Sequence, residues 1–549
     1  MLAEDYEEFT ENQRKILDRY VTNTSSHIFA LRNLPEVIKG ALFSRYSRSN
    51  LGLRSLFLKE FVGNTEESSF NAIAGGEMVN EPGAQLAAIQ KAQNFYDRIL
   101  DGYGDDSIGE LGGAHLAIEN VSMLAAKAIE DSRIGGSPLE KSTRYIYFDQ
   151  KVKGEYLFYR EPVLMTSAYR DLYITTCNML FDTYSRLVHG LTPLFEEKMP
   201  KDPNISQAAY TAALRAKVLD CLRGLLPAGT LTNMGIYGNG RFFDSLIHKL
   251  HCHNLAEMQE IGKRSYDELA KVIPSFVRRA QISHRTHQSY AEFSETMQNE
   301  IQLIADQHTN TEFPFTNEEA GVRLIGSDPE NVNKVAAAML FAYSNRSLAD
   351  LLNYCKQLPE EEIARILDAG SSARENRRQK SPRALEHAEF TFEIVADFGV
   401  YRDLHRHRML TQERQLLGCD LGYYIPPEIM GTAFEAEYIE AMREAKEAYE
   451  TIASSLPEEA QYIVPMAYNV RWYFHLNLRA LQWLCELRSA AAGHTSYRLV
   501  AQIMAKQVCE AYPAFERFFK FVDYEGYSMG RLDQEQRRAD KQQSQNSMR

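Results

Sequence analysis

Residues 385–414 read LEHAEFTFEIVADFGVYRDLHRHRMLTQER. The first part, FTFEIVADF, is rich in aromatic and β-branched residues and reads as a strand. Directly after it, Arg402, His405, Arg406, His407, Arg408 and Arg414 fall within 13 positions. Guanidinium forks grip phosphate bidentately, and imidazole adds a donor or a stacking plane, so the cluster suits a phosphorylated ligand. The alternative is a solvated basic helix face. Because the cluster emerges from an apolar run, unpaired cations there would be costly. A ligand, or acids such as Glu386 and Glu389, must neutralise them.

The surroundings are those of an ordinary soluble chain. With 549 residues there is room for two to four domains, and 44% hydrophobic with 25% charged residues is a globular composition. A formal net charge of −13 argues against a general nucleic-acid coat, which needs a basic surface. No apolar run approaches the roughly 20 residues of a membrane helix, so no membrane partner is expected. The acidic start, MLAEDYEEFTENQRKILDRY, is neither a secretory signal nor an Arg-rich transit peptide. Seven dispersed cysteines without a C-x-x-C pair point to reduced thiols, and a cytoplasmic location is expected. The HCH at His251–His253 is not read as a metal site, because alternate helical residues do not converge on one point.

Apolar residues at three- and four-residue spacing predict helices in QLAAIQKAQNFYDRIL, AHLAIENVSMLAAKAIE, FEAEYIEAMREAKEAYETIASSL and SYRLVAQIMAKQVCEAY. RYIYFD and VRLIG join FTFEIVADF as strands. The result is a helix-rich α+β pattern without regular βαβ alternation. Turn chemistry in HTNTEFPFTNEEAGVRLIGSDPENVNK places the main boundary near Asn317, giving segments 1–317 and 318–525. GSSARENRRQKSPR reads as an exposed loop, and 526–549 as a disordered tail. An order of features recurs: in each half a Glu precedes a polar charged motif, and much later comes an N-x-R, at Asn239–Arg241 and Asn477–Arg479.

The opening stretch resembles the flavin-dependent thymidylate synthases, whose signature is R-H-R-x-x-S-x-N-E-x-S-x-R-Y preceded by E-H and an apolar strand. Glu386–His387 matches the E-H pair and Arg406–His407–Arg408 the R-H-R. VRLIGSDPENVNKVAAAMLFAY looks like the family's opening strand and helix. NLRALQWLCELRSAAAGHTSYRLVAQ is similar to its late helix pair, with Arg479 and Arg498 on or beside ligand-binding positions. The likeness covers most of Val322–Phe521. It departs after R-H-R, where Thr411, Glu413–Arg414, Leu416 and Gly418 replace the expected Ser, N-E and S-x-R, and where KSPRALEH replaces H-x-S-x-x-E-H.

The N-terminal half holds what the C-terminal half has lost. SRIGGSPLEKSTRYIYFD retains Ser137, Glu140, Ser142, Arg144 and Tyr145 at the spacing of S-x-N-E-x-S-x-R-Y, but shows Ser132–Arg133–Ile134 in place of R-H-R. Glu110 is the nearest match to the E of E-H, and LLPAGTLTNMGIYGNGRFFDSLIHKL makes Arg241 the counterpart of Arg479. The stretch around 155–205 has no evident counterpart. Apart from the resemblance, Ser137-Pro138-x-Glu140 also fits an N-capped turn.

The resemblance implies two tandem copies of the family fold forming a pseudo-dimer, and reductive methylation of dUMP to dTMP. FAD is the implied cofactor, with NADPH and methylenetetrahydrofolate as co-substrates. It puts flavin on Arg406, His407, Arg408, Glu413, His387 and Asn477, and the nucleotide on Ser137, Glu140, Ser142 and Arg144. Arg241, Arg479 and Arg498 become the catalytic arginines, polarising the pyrimidine and stabilising charge on the flavin. No G-x-G-x-x-G follows a strand, so a Rossmann flavin site is not indicated. Family proteins are homotetramers, which implies a homodimer of tandem chains. Two rival readings remain open at this stage: a flavoprotein acting on another nucleotide, and a non-catalytic paralogue that binds a nucleotide or a protein partner. A helical scaffold without ligand is a third, which FAD copurification would exclude.

Overall fold

A computed structural model describes residues 8–47, 49–59, 109–309 and 320–547. The helix expected at 85–100 and the boundary near Asn317 lie outside them. The architecture is helix-rich α+β with small antiparallel sheets.

In chain order, β1 (Gly113–Ser122) runs into α1 (Met123–Glu130), and β2 (Gly136–Glu140) follows. Two long helices, α2 (Arg170–Lys198) and α3 (Gln207–Leu222), precede β3 (Leu231–Asn239), which runs into α4 (Gly240–His251) and later α5 (Arg285–Thr309). A second series then begins: β4 (Gly321–Ser327), β5 (Glu389–Asp397), α6 (Phe398–Leu404), β6 (Thr411–Arg414), α7 (Glu435–Ala453), β7 (Asn469–Asn477), α8 (Leu478–Arg488), α9 (Thr495–Ala511) and α10 (Leu532–Ser547).

Of the three sheets among the described residues, one is a two-stranded hairpin at 151–156 and the other two repeat one topology. The first has the order β1-β3-β2, and the second has β5-β7-β6 with β4 added at the β5 edge. Four strand-to-helix corners are closed alike, by a side chain accepting the main-chain N–H three residues on. Ser122 Oγ takes it from Ala125 at 2.9 Å, Asn239 Oδ1 from Phe242 at 2.8 Å, Asp397 Oδ1 from Val400 at 3.0 Å and Asn477 Oδ1 from Ala480 at 2.9 Å. An ion pair recurs as well: Arg241–Glu110 at 2.8 Å and Arg479–Glu386 at 2.6 Å. Glu110 precedes β1 by three residues, and Glu386 precedes β5 by three.

The chain forms two compact units, and neither is a consecutive half. One comprises Met1–Glu119, Ala128–Glu140 and Asn233–Pro314; the other comprises Asn120–Lys127, Lys141–Thr232 and Phe315–Arg549. Residues 141–232 belong to the second unit because Pro227 bridges to Pro465, Arg223 pairs with Asp403, and Arg186 on α2 pairs with Glu437 on α7. The stretch around 155–205 thus supplies a helix against which the C-terminal copy packs.

In the first unit, β2 pairs antiparallel with β3, Gly136 opposite Gly238. A Cβ at either glycine would stand 2.5 or 2.4 Å from the Phe242 ring, so the close approach excludes a side chain. Below α4, His248 stacks on His287 with ring centroids 5.0 Å apart, and His251 meets His287 edge-on at 5.2 Å.

The second unit's core follows the strand alternation: Phe390, Phe392 and Ile394 on β5 face inward, as do Val470, Trp472, Phe474 and Leu476 on β7.

Three local expectations are corrected. AHLAIENVSMLAAKAIE is a strand followed by a helix, because the β1 ladder claims its first part and Ser122 caps the helix only from Met123. RYIYFD is irregular, since Arg144 and Phe148 turn into the core while Tyr145 stays half-exposed. The tail is not disordered: Leu532–Ser547 is helical and docks beside α3, where Gln536 Oε1 accepts from the Ser206 N–H at 2.9 Å.

Burial first, and then the neighbouring imidazoles, push His248 and His251 down to about 4. The unfolded chain protonates these rings near 6.5. Their neutral forms therefore stabilise the fold fully above about pH 6.5, and that contribution is lost as pH falls through about 4. Thermal unfolding between pH 7 and 4 should show the first unit weakening on acidification, with a smaller slope in His248→Gln; a slope unchanged by the substitution would count against this assignment.

Candidate functional site

The corner between β5 and β6 carries the basic cluster. Helix α6 is short, and the chain leaving it places Arg406, His407 and Arg408 along one wall of a cleft of about 500 Å³. The opposite wall is one face of α8, where Arg479, Trp483 and Glu486 recur at helical spacing. Residues 374–381 form the third side. The lining holds seven Arg or Lys side chains, Arg374, Arg377, Lys380, Arg406, Arg408, Arg479 and Arg488, against two carboxylates, Glu386 and Glu486. Both carboxylates are engaged: Glu486 takes both forks of Arg374 at 3.0 and 2.7 Å, and Glu386 takes Arg479. The cleft is thus strongly cationic within a chain of net charge −13.

His407 is held in one tautomer. Arg488 Nε donates to its Nε2 at 2.8 Å, so the ring proton resides on Nδ1. Burial and then the Arg488 charge hold the imidazole well below its usual range, and it stays neutral.

A chain of buried ion pairs lies behind the cleft. Arg223 Nη1 pairs with Asp403 at 2.8 Å. Burial would raise the Asp403 carboxyl, but the guanidinium charges of Arg223, Arg144, Arg406 and Arg488 hold it below the ordinary range. Arg144 forks onto Asp220 at 2.6 and 2.7 Å and reaches Tyr497 Oη at 3.2 Å. Burial opposes ionisation of Asp220 as well, yet Arg144 brings it to about 2. His494 caps α9, accepting from Ser496 N–H at Nδ1, so its Nε2 donates to the Asp220 carbonyl at 3.0 Å. Burial and then Arg223 lower this imidazole to about 3.

The sequence candidates divide as follows. Arg406, His407, Arg408, Asn477 and Arg479 come together in the cleft, with Glu386 beside them. His387 and Glu413 are exposed and do not line it. Ser142 accepts from the Arg144 N–H at 3.2 Å, and both belong to the second unit. Ser137 and Glu140 lie on β2 of the first unit, so Ser137 is a strand residue there and not a helix cap. Arg241 also belongs to the first unit. Arg498 is buried outside the cleft, donating to the carbonyls of Ser489 and Glu525 at 2.7 and 2.9 Å. The loop 370–383 is irregular but not wholly exposed, since Arg374 is buried on Glu486.

Sequence reasoning missed Asp220, Asp403, Arg374 and Arg488. Asp403 stands inside the basic motif, where a lone acid among cations was the available signal. Arg488 and Glu486 were legible only as later turns of the Arg479 helix. Among the described residues no group of three or more His, Cys, Asp or Glu could hold a metal ion, and no helix is long and apolar enough to cross a membrane.

A family model described as thymidylate synthase complementing protein matches residues 63–275 and again 323–514, well over half of the chain. The chain belongs to that family. Its two matches correspond to the two series of elements with a common strand order, which points to tandem duplication. A UPF0159 protein of Chlamydia muridarum is 56% identical over 532 residues, covering 97% of this chain and 98% of its own length. A UPF0159 protein of Thermoplasma acidophilum is 33% identical over 534 residues, 91% of this chain and 98% of its own. A flavin-dependent thymidylate synthase of Clostridium tetani is 28% identical over 219 residues, 35% of this chain and 83% of its own. The first two relatives thus match nearly the whole of this chain, while the named enzyme matches about a third of it.

Removing one partner of the Arg144–Asp220 pair strands a buried cation, at a cost of about 3–5 kcal/mol. Urea unfolding of Asp220→Asn should show a loss of that order, and Asp220→Leu combined with Arg144→Met should recover much of it. Equal losses in the single and double variants would contradict the pairing.

Proposed function

We propose that this protein is a flavin-dependent thymidylate synthase, carrying out reductive methylation of dUMP to dTMP with methylenetetrahydrofolate and NADPH. The observation that carries this reading is the convergence of Arg406–Arg408, Asn477–Arg479 and Glu386 in one cationic cleft. These are the segments that match the family's R-H-R, N-x-R and E-H motifs.

The residues present fit FAD. The cleft is in the size range of sites for drug-sized ligands, its cations suit a pyrophosphate, and Trp483, 40% exposed in the wall, offers a stacking plane. Arg406, Arg408 and the Nδ1–H of His407 would hold the phosphates, with Asn477 beside them; His387 and Glu413, which the resemblance also assigns to the flavin, stand outside the lining. FAD, when bound, supplies the hydride chemistry that the protein's own side chains lack. Arg479, oriented by Glu386, would stabilise negative charge on the reacting rings, as Arg241 would in the N-terminal copy; Arg498, the third arginine the resemblance implies, lies outside the cleft and would act only after leaving the Ser489 and Glu525 carbonyls. The nucleotide falls to Ser142 and Arg144, with Ser137 and Glu140 completing the motif. Two tandem chains would supply the four copies of the family's assembly, each chain standing for a pair of subunits. A cytoplasmic location accords with the dispersed free cysteines.

One set of contacts favours the non-catalytic alternative. The fork of Arg144 is already filled by Asp220, and Arg498 is tied to the Glu525 carbonyl. Nucleotide binding at Arg144 must then rearrange this pair or use the one Nη1 proton that Tyr497 does not take.

The test is visible absorption during titration with FAD, followed by dUMP. The wild type should bind FAD saturably, and the flavin bands should shift when dUMP is added. Arg406→Ala with Arg408→Ala should weaken FAD binding by about a hundredfold, the loss of two charge-assisted contacts. A protein that takes up no FAD leaves the cleft without its proposed ligand, and the non-catalytic reading prevails.

A further inference from the structure

A second, smaller cavity of about 30 Å³ lies beside the Arg144–Asp220 pair, where the C-terminal segment crosses the start of α9. Lys217, Thr495, Arg498, Ser528 and Arg531 line it, together with Asp220. Residues 527–531 lie outside both stretches that match the family.

Arg531 is the anomaly. Its side chain is buried, with the residue only 6% exposed. Nε donates to the Ala492 carbonyl at a long 3.3 Å, and the guanidinium lies 4.3 Å from the centroid of the Tyr145 ring. Among the described residues no carboxylate forms an ion pair with it, and its buried Nη1 has no hydrogen-bond partner. Asp220, the acid in the lining, is committed to Arg144 by both oxygens. Asp220 attracts Arg531 electrostatically but forms no ion pair with it and is shared with Arg144, so two buried guanidiniums face one carboxylate, and a bound anion offsets that imbalance.

The rest of the wall has the same preference. Arg498 adds a second guanidinium, which pairs with Asp523 at 3.7 Å and gives Nε and Nη2 to the Ser489 and Glu525 carbonyls but keeps its Nη1, and Lys217, whose Nζ pairs with Glu428, keeps further ammonium protons. Thr495 opens α9, a helix of 17 residues whose N-terminal amides and dipole favour negative charge. The cavity has room for two or three waters, which suits one small oxyanion and excludes a base or flavin ring.

We propose that Arg531, Lys217, Arg498 and the N-terminus of α9 form an oxyanion site that takes a phosphate group, either inorganic phosphate or the end of a phosphomonoester. Arg531 closes the site from the C-terminal segment, so α10, docked beside α3, holds a ligand-binding residue in place. The site stands without flavin, and its test is separate from that of the main cleft.

The experiment is calorimetric titration of the full chain, freed of oxyanions and kept in chloride at constant ionic strength, with inorganic phosphate, dUMP and deoxyuridine in turn. Saturable binding of phosphate or dUMP, weakened about tenfold or more in Arg531→Gln, is the expected result. Competition between phosphate and dUMP, with deoxyuridine failing to bind, would assign the site to an esterified phosphate. Independent binding of the two would assign it to the free ion. The proposal is overturned if neither phosphate nor dUMP binds the wild type, or if Arg531→Gln binds both unchanged. Should that variant fail to fold, Lys217→Gln must show the weakening instead.

Discussion

Three buried arginines find their counter-charge on distant segments of the chain, and the second unit is organised by those pairs. Arg144–Asp220, Arg223–Asp403 and Arg374–Glu486 each join segments far apart in sequence, and each is largely hidden from solvent. A pair of this kind contributes little net stability by itself, yet breaking one is expensive. Its effect is therefore specification: these pairs fix which segment lies against which. Arg223–Asp403 draws residues from before β3 onto the helix that carries the basic motif. This helps explain why 141–232 folds with the C-terminal copy and why the compact units are interleaved stretches of chain.

The duplication gives those pairs their context. Two series of elements share a strand order, a capped corner at each strand-to-helix junction and a Glu–Arg ion pair, although little direct identity survives between them. Local chemistry has persisted where the backbone demands it, since an N-terminal helix amide needs an acceptor whatever the ligand. The C-terminal copy keeps the basic motif and shapes a cleft with it. The N-terminal copy keeps the hydroxyl and guanidinium motif, but its arginine is now engaged by an aspartate of its own chain.

Much of this was legible in the sequence where local rules decide. The run at 385–414 declared its strand by aromatic and β-branched content, and the cleft that its basic residues line contains five of the expected residues. Elsewhere non-local partners decided. The apolar spacing of 114–130 fits a helix or a strand equally well, and only the ladder to β3 settles it. RYIYFD has strand composition, but Arg144 is drawn to Asp220, 76 residues away, and no ladder forms. The polar tail lacks apolar content and is helical through docking on α3. Asp220, Arg374 and Arg488 could not be found by motif, because their importance comes from what they neutralise or orient.

The central claim is that the cleft between Arg406–Leu410 and the α8 face is where a flavin sits. Hydrogen-exchange mass spectrometry of the full chain with and without FAD tests it most directly. The account predicts slowed exchange in peptides covering 404–410 and 477–488, with little change across α4 and α5. Protection confined to α4 and α5, or protection nowhere at saturating FAD, would contradict it.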